Sequence, residues 1–127
     1  MPPQAIAPEV PILVLEPSDR APAMARRFVA ERFHEWGYPD DYIARLVVTE
    51  LVTNAYQHGA GVIVVRALRD ETHVVIEVWD QGAGMPVVQE ENAEATSGRG
   101  LLLMSELVRE WGVRPIAEGG KIVWALL

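Results

Sequence analysis

The sequence predicts a two-layer α/β sandwich, with a mixed, mostly antiparallel sheet covered on one face by helices. Three observations carry this. The apolar patterns run in the order strand, two helices, two strands, loop, helix, two strands, without the regular strand–helix–strand alternation of a doubly wound parallel sheet. The two central strand patterns are joined only by Asp70-Glu71, a link short enough for an antiparallel hairpin and too short for a crossover. The chain has 127 residues, 50% of them hydrophobic and 23% charged, which suits one domain with a sizeable core.

Residues 1–9 hold Pro2, Pro3 and Pro8 without periodicity and read as a flexible tail, leaving 10–127 as a single domain. Val10 to Glu16 reads as a strand, and Pro11 suits an edge position. Ser18 and Asp19 are N-cap residue types. Behind them Ala25, Phe28, Val29, Arg32, Phe33 and Trp36 follow the three-and-four spacing of one helix face, and Gly37 ends it. A second helix is expected from about Asp40 to His58, with Ile43, Leu46, Val47, Leu51 and Ala55 as its apolar stripe and Gly59 as its stop. Gly61 to Arg69 and Thr72 to Asp80 are strands. By parity Asp80 shares the apolar face of Val74, Ile76 and Val78. Gln81 to Gly98, with its glycines, Pro86 and polar run Gln89 to Asn92, reads as a mobile lid. A third helix is expected over Gly98 to Trp111. Val113 to Ala117 and Lys121 to Leu126 then close a hairpin around Gly119-Gly120.

Composition narrows the function. The formal charge of −7 argues against a sequence-independent hold on nucleic acid or an anionic membrane, which depends on Lys and Arg neutralising phosphates. It does not oppose one small anion held by local geometry. With no cysteine, thiolate metal sites, disulfides and cysteine nucleophiles are excluded. No apolar run approaches the ~20 residues that span a bilayer, and the N-terminus lacks the pattern of a signal peptide. The expectation is a soluble, cytoplasmic protein.

Three places offer chemistry. Glu50, Asn54 and His58 are spaced by four and form one slanting ridge on the second helix. Among Val47, Val48, Leu51 and Val52 a carboxylate must be paired, face a polar cavity, or bear a desolvation cost; the alternative is the polar edge of an amphipathic helix. Asp80 ends a strand and is followed by Gly82 and Gly84, an arrangement that lets a planar ligand approach the backbone and donate to the carboxylate. The alternative is an Asp-x-Gly turn. Gly98-Arg99-Gly100 opens a helix at Leu101, where free N–H groups and the helix dipole favour an anion; the alternative is a plain loop ending capped by Ser97. There is no P-loop, no dinucleotide fingerprint, no metal spacing among His34, His58 and His73, and no nucleophile elbow around Ser18, Ser97 or Ser105. Read together over about fifty residues, a carboxylate–amide helix, an aspartate with glycines and a glycine-rich helix start describe one nucleotide site.

In that order the motifs resemble a known family. Glu50-Leu-Val-Thr-Asn54-Ala-Tyr-Gln-His58-Gly59 is similar to the N box of the GHKL ATP-binding superfamily, which includes gyrase, histidine kinases and anti-sigma-factor serine kinases. Asp80-Gln-Gly82-Ala-Gly84 resembles its first glycine box, and Gly98-Arg-Gly100-Leu-Leu-Leu-Met its second. The resemblance runs from about Asp19 to the C-terminus. It is strongest to the small anti-sigma-factor serine/threonine kinase branch, through Glu-Leu-Val-Thr-Asn-Ala, the closing Val-Trp and the short loop between the glycine boxes.

The resemblance implies the Bergerat ATP-binding fold, with ATP and magnesium as cofactors. It implies Glu50 as the catalytic general base and Asn54 as the magnesium ligand. Asp80 would accept from the adenine amino group, Gly82 and Gly84 would shape the pocket and hinge the lid, and Gly98, Gly100 and Leu101 would lie at the phosphates. His58 and Arg99 take supporting roles. Lys121, the only lysine, lies in the closing strand, so the phosphate-facing charge falls to Arg99. The implied activity is transfer of the ATP γ-phosphate to a serine or threonine of a small antagonist protein. A sigma factor or similar protein is a further partner, and homodimerisation is possible through the apolar first strand. The runner-up is a nucleotide-gated binding module without phosphoryl transfer. A detached histidine-kinase catalytic domain and a nucleotide-free scaffold are weaker alternatives. On the sequence alone, Asp80→Asn is expected to weaken ATP binding greatly and leave the fold intact.

Overall fold

The computed structural model describes residues 10–82 and 99–127, with residues 99 and 100 described by their backbone. The tail at 1–9 and most of the expected lid, including Gly84 and Gly98, lie outside the described residues.

The first strand is β1 (Ile12–Leu15), followed by helices α1 (Ala21–Trp36) and α2 (Tyr42–His58). Strands β2 (Ile63–Arg69) and β3 (Val74–Asp80) precede α3 (Arg99–Leu107), and β4 (Glu110–Pro115) and β5 (Lys121–Leu126) close the chain. The strands form one five-stranded sheet in the order β1-β2-β3-β5-β4. Every pairing among the described residues is antiparallel. The helices cover one face, which makes the expected two-layer sandwich.

Alternation along the strands builds the core. Ile63, Val65 and Ala67 of β2, Ile76 and Val78 of β3, and Val123 and Ala125 of β5 are buried on the inner face. Opposite them lie Ala21, Ala25, Val29 and Phe33, a strict four-residue stripe on α1. Ala44, Val47, Val48, Leu51, Val52 and Ala55 of α2 and Leu101 and Met104 of α3 complete the layer. The outer face carries Glu77 between the guanidinium groups of Arg66 and Arg114.

Local chemistry sets the ends. Gly37 takes the left-handed conformation at φ 77°, and the Tyr38 N–H donates back to the Phe33 carbonyl at 2.9 Å. The Phe33 and Tyr38 rings meet edge to face with centroids 5.7 Å apart, which supplies the hydrophobic contact that accompanies this helix stop. In the β2–β3 turn Asp70 Oδ1 accepts from the Thr72 and His73 N–H groups, both at 2.8 Å. These backbone donors hold the Asp70 carboxyl below its ordinary value.

Two boundaries differ from expectation. The α1 N-cap is Arg20, without a side-chain cap; Ser18 instead accepts from the Arg20 N–H through its hydroxyl at 3.2 Å. The third helix stops at Leu107 rather than Trp111, and β4 starts at Glu110 rather than Val113. The cause is a long-range capture. The Arg109 N–H donates to the Leu126 carbonyl at 2.8 Å, so the chain turns onto the free edge of β5. Gly112 then lies under Trp124, where a Cβ would come within 2.7 Å of the indole ring.

Candidate functional site

The site begins where β3 ends. The inward parity of β3 carries Asp80 to the core face, where only 1% of its surface is exposed. A carboxylate so deep must be paired and hydrogen-bonded. Register supplies the partner: Asp80 stands opposite Lys121 of β5, whose Nζ donates to Asp80 Oδ1 at 3.1 Å. The Gly82 N–H donates to the same oxygen at 2.7 Å. Asp80 Oδ2 is buried and has no hydrogen-bond partner among the described residues. One oxygen of the carboxylate thus takes two donors from within the protein, and the other is a buried acceptor without a partner among the described residues.

Glycines wall this carboxylate. A Cβ at Gly59 would meet Asp80 Cγ at 2.6 Å, and one at Gly82 would meet Asp80 Oδ1 at 2.9 Å. Gly120, at φ 86°, lies against the Asp80 carbonyl. The Gln81 N–H donates to the Ala60 carbonyl at 2.8 Å, tying the end of β3 to the segment that follows α2. The close approach of α2's C-terminus to β3 is therefore made of backbone.

The α2 ridge leads away from this point. Asn54 is buried, at 7% exposure, and Glu50 is half-buried one turn earlier. By the helical rise, Asn54 is about 7 Å and Glu50 about 14 Å along the axis from Gly59. Desolvation pushes the Glu50 carboxyl above its ordinary value. His58, the last residue of α2, is exposed. Leu101 is buried in the first turns of α3, and the backbone of Arg99 and Gly100 opens that helix as expected. Among the described residues, no group of three or more His, Cys, Asp or Glu side chains gathers into a metal cage. A cavity of about 310 Å³ lies at the other end of β3, lined by Phe33, Ile43, Thr72, Val74 and Leu107 among others, and includes none of the expected site residues.

Comparison with known proteins decides the family. The model of the histidine kinase-like ATPase domain matches residues 15–127, nearly the whole chain. The chain belongs to that family. No curated protein matches this ATPase domain. Among solved structures, it is similar to the RsbU and RsbW domains of Rv1364c from Mycobacterium tuberculosis, at 24% identity and a TM-score of 0.64 over 91% of this chain. The ATPase domain spans about a third, 32%, of that longer chain. A histidine kinase domain from the blue-light activated histidine kinase of Erythrobacter litoralis also matches, at 20% identity and a TM-score of 0.49, over 98% of this chain and 67% of that one.

Three residues of the candidate site escaped the sequence reading. Gly59 reads as a helix stop and Gly120 as a hairpin turn, yet both press against Asp80. Lys121 reads as a strand residue remote from any ligand, yet it is the partner of Asp80. A signal was present. Lys121, Val123 and Ala125 share one parity, so the only lysine in the chain lies on a buried strand face and requires a buried carboxylate.

Proposed function

We propose that this ATPase domain binds ATP with magnesium and transfers the γ-phosphate to a serine or threonine of a small antagonist protein, as the anti-sigma-factor kinase branch does. The single observation that carries the nucleotide part is Asp80 Oδ2, a buried, unpartnered acceptor in a backbone-walled niche. Such an oxygen calls for a planar donor, and the exocyclic amino group of adenine is one. Gly82, whose N–H orients the carboxylate, belongs to the same niche.

The α2 ridge supports the chemical part. A triphosphate extending from Asp80 along α2 passes Asn54 before Glu50. Asn54 offers a neutral amide oxygen to magnesium, which commonly takes one or two protein ligands and fills its shell with phosphate and water oxygens. Glu50, raised by desolvation, is suited to accept a proton from an attacking hydroxyl. The hydroxyl oxygen then bonds to the γ-phosphorus as the β–γ bridge breaks and ADP departs, a step governed by positioning and charge neutralisation. His58, exposed at the end of α2, Arg99, Gly98, Gly100 and Leu101 keep the supporting and phosphate-side roles that the resemblance implies, and Gly84 the hinge.

The proposed partners are the antagonist protein that carries the acceptor, and a sigma factor or similar regulator. A homodimer is supported by the outward-facing Ile12 and Val14 of β1, 54% and 56% exposed. No helix among the described residues is long and apolar enough to cross a membrane, and we place the protein in the cytoplasm.

The test is incubation with ATP labelled at the γ-phosphate, magnesium and a candidate antagonist, with label followed into the acceptor. Transfer that is lost in Glu50→Ala supports the kinase. ATP and partner binding without transfer to any acceptor supports the nucleotide-gated binding module.

A further inference from the structure

We propose that Lys121 sets the base selectivity of the Asp80 niche, by fixing the carboxylate so that Oδ2 alone faces the ligand. This rests on the nucleotide reading above and adds to it a residue that selects among ligands.

Lys121 makes no hydrogen bond to the unpartnered oxygen, Oδ2. Its Nζ donates to Asp80 Oδ1 at 3.1 Å and approaches the Gly82 carbonyl at 3.4 Å, while the Gly82 N–H donates to Oδ1 at 2.7 Å. Two donors, one from β5 and one from the chain beyond β3, therefore meet on one oxygen. With Oδ1 pinned from both sides, the carboxylate plane has a single setting and Oδ2 a single direction. Without Lys121 the carboxylate keeps only the Gly82 donor and is less firmly held.

Stability gives little reason for a lysine here. Val123 and Ala125 occupy the next two inward positions of β5 and bury well. Replacing a buried ion pair by packed apolar residues is commonly neutral or favourable. What the pair provides is geometry and charge balance. The ammonium cancels the carboxylate, so the niche has no net charge but retains one buried acceptor. That combination favours an uncharged heterocycle bearing an amino group over a cationic amine, which an unpaired aspartate would attract. Lys121 is a positioning residue: it acts through Asp80.

The experiment titrates the full chain with magnesium-ATP and with the triphosphate of purine riboside, which lacks only the amino group. Wild type is expected to prefer ATP by about tenfold or more, the value of one charge-assisted hydrogen bond. In Lys121→Met the preference is expected to fall to within about threefold. A lysine with a purely structural role would weaken both ligands equally, so an unchanged preference in Lys121→Met overturns the assignment. If Lys121→Met does not fold, Lys121→Gln takes its place. Its side chain keeps a donor but is too short to hold both Oδ1 and the Gly82 carbonyl, so its preference should also fall, and an unchanged value overturns the assignment. Wild type that binds ATP without preferring it overturns the amino contact at Asp80. Wild type that binds neither triphosphate overturns the nucleotide reading itself, and Lys121 falls with it.

Discussion

Gly59 lies directly against Asp80: a Cβ at Gly59 would stand 2.6 Å from Asp80 Cγ and 2.7 Å from Oδ1. The backbone at Gly59 is extended, at φ −92°, so this glycine is required by contact and not by conformation. The backbone at the end of α2 thus packs on the Asp80 carboxylate at a place where a side chain would displace it.

Gly59→Ala therefore tests the niche sterically. The added methyl also meets the Ala55 carbonyl at 2.6 Å, so it cannot be absorbed by a side-chain rotation alone. The variant is expected to lose about 1–3 kcal/mol of stability through overpacking, measured by urea unfolding. ATP affinity should drop by more than about tenfold even under conditions where the variant is fully folded. Unchanged affinity would place the ligand elsewhere.

Asp80→Asn has two consequences, and the second revises the expectation that the fold would be unaffected. The amide removes the charged acceptor at Oδ2, which should weaken ATP at least about tenfold. It also leaves the Lys121 ammonium buried without its counter-charge. Breaking a buried pair from one side costs about 3–5 kcal/mol, less where the new amide still accepts a hydrogen bond. The double variant Asp80→Asn/Lys121→Met should recover much of that stability while ATP binding stays lost. Equal stabilities for the single and double variants would show that the stranded ammonium is not what destabilises Asp80→Asn.

Glu50 gives a pH signature. Desolvation raises its folded-state value above the ordinary 4.5, so the native chain holds this proton more tightly than the unfolded chain. The stability associated with the protonated carboxyl is fully present below the unfolded value and is lost as pH rises through the folded one. Glu50→Gln should match wild type near pH ~4 and become relatively more stable as pH rises toward ~8. Urea midpoints across that range measure it. A wild-type advantage growing with pH would mean that Glu50 has a favourable charge partner.

Glu50 and Asn54 should separate chemistry from metal-dependent binding. Glu50→Ala is expected to keep magnesium-ATP binding and lose about 10²–10⁴ in transfer rate, the usual cost of a missing general base. Asn54→Ala should weaken binding in magnesium and change it little in EDTA. Transfer at the wild-type rate by Glu50→Ala would falsify the general-base role.

Much of this was legible because it is local. The spacing of Ala25, Val29 and Phe33 writes α1, and the alternation of Ile76, Val78 and Asp80 sets the inward face of β3. The glycines at 82, 98 and 100 and the Glu50–Asn54 ridge announce a nucleotide family by order and residue type, and the family model agrees. Where local pattern competed with a distant partner, it failed. Residues 108–111 read as a helix continuing past Leu107, but the open edge of β5 offers ladder hydrogen bonds and draws Glu110–Pro115 into the sheet.

The sequence by itself determined the elements, the burial of Asp80 and the family, because periodicity and motif order depend on residues only a few positions apart. The tertiary structure alone decided what Asp80 faces. Lys121 lies 41 residues away along the chain and becomes its neighbour only through the β3–β5 register. A ladder slipped by one residue would turn that lysine to the outer face. Gly59 and Gly120 acquire their meaning in the same way, Gly59 from its packing on the Asp80 carboxylate and Gly120 from its packing on the Asp80 backbone. Register and packing are settled by the whole core at once, so the pair that tunes the niche is a property of the fold.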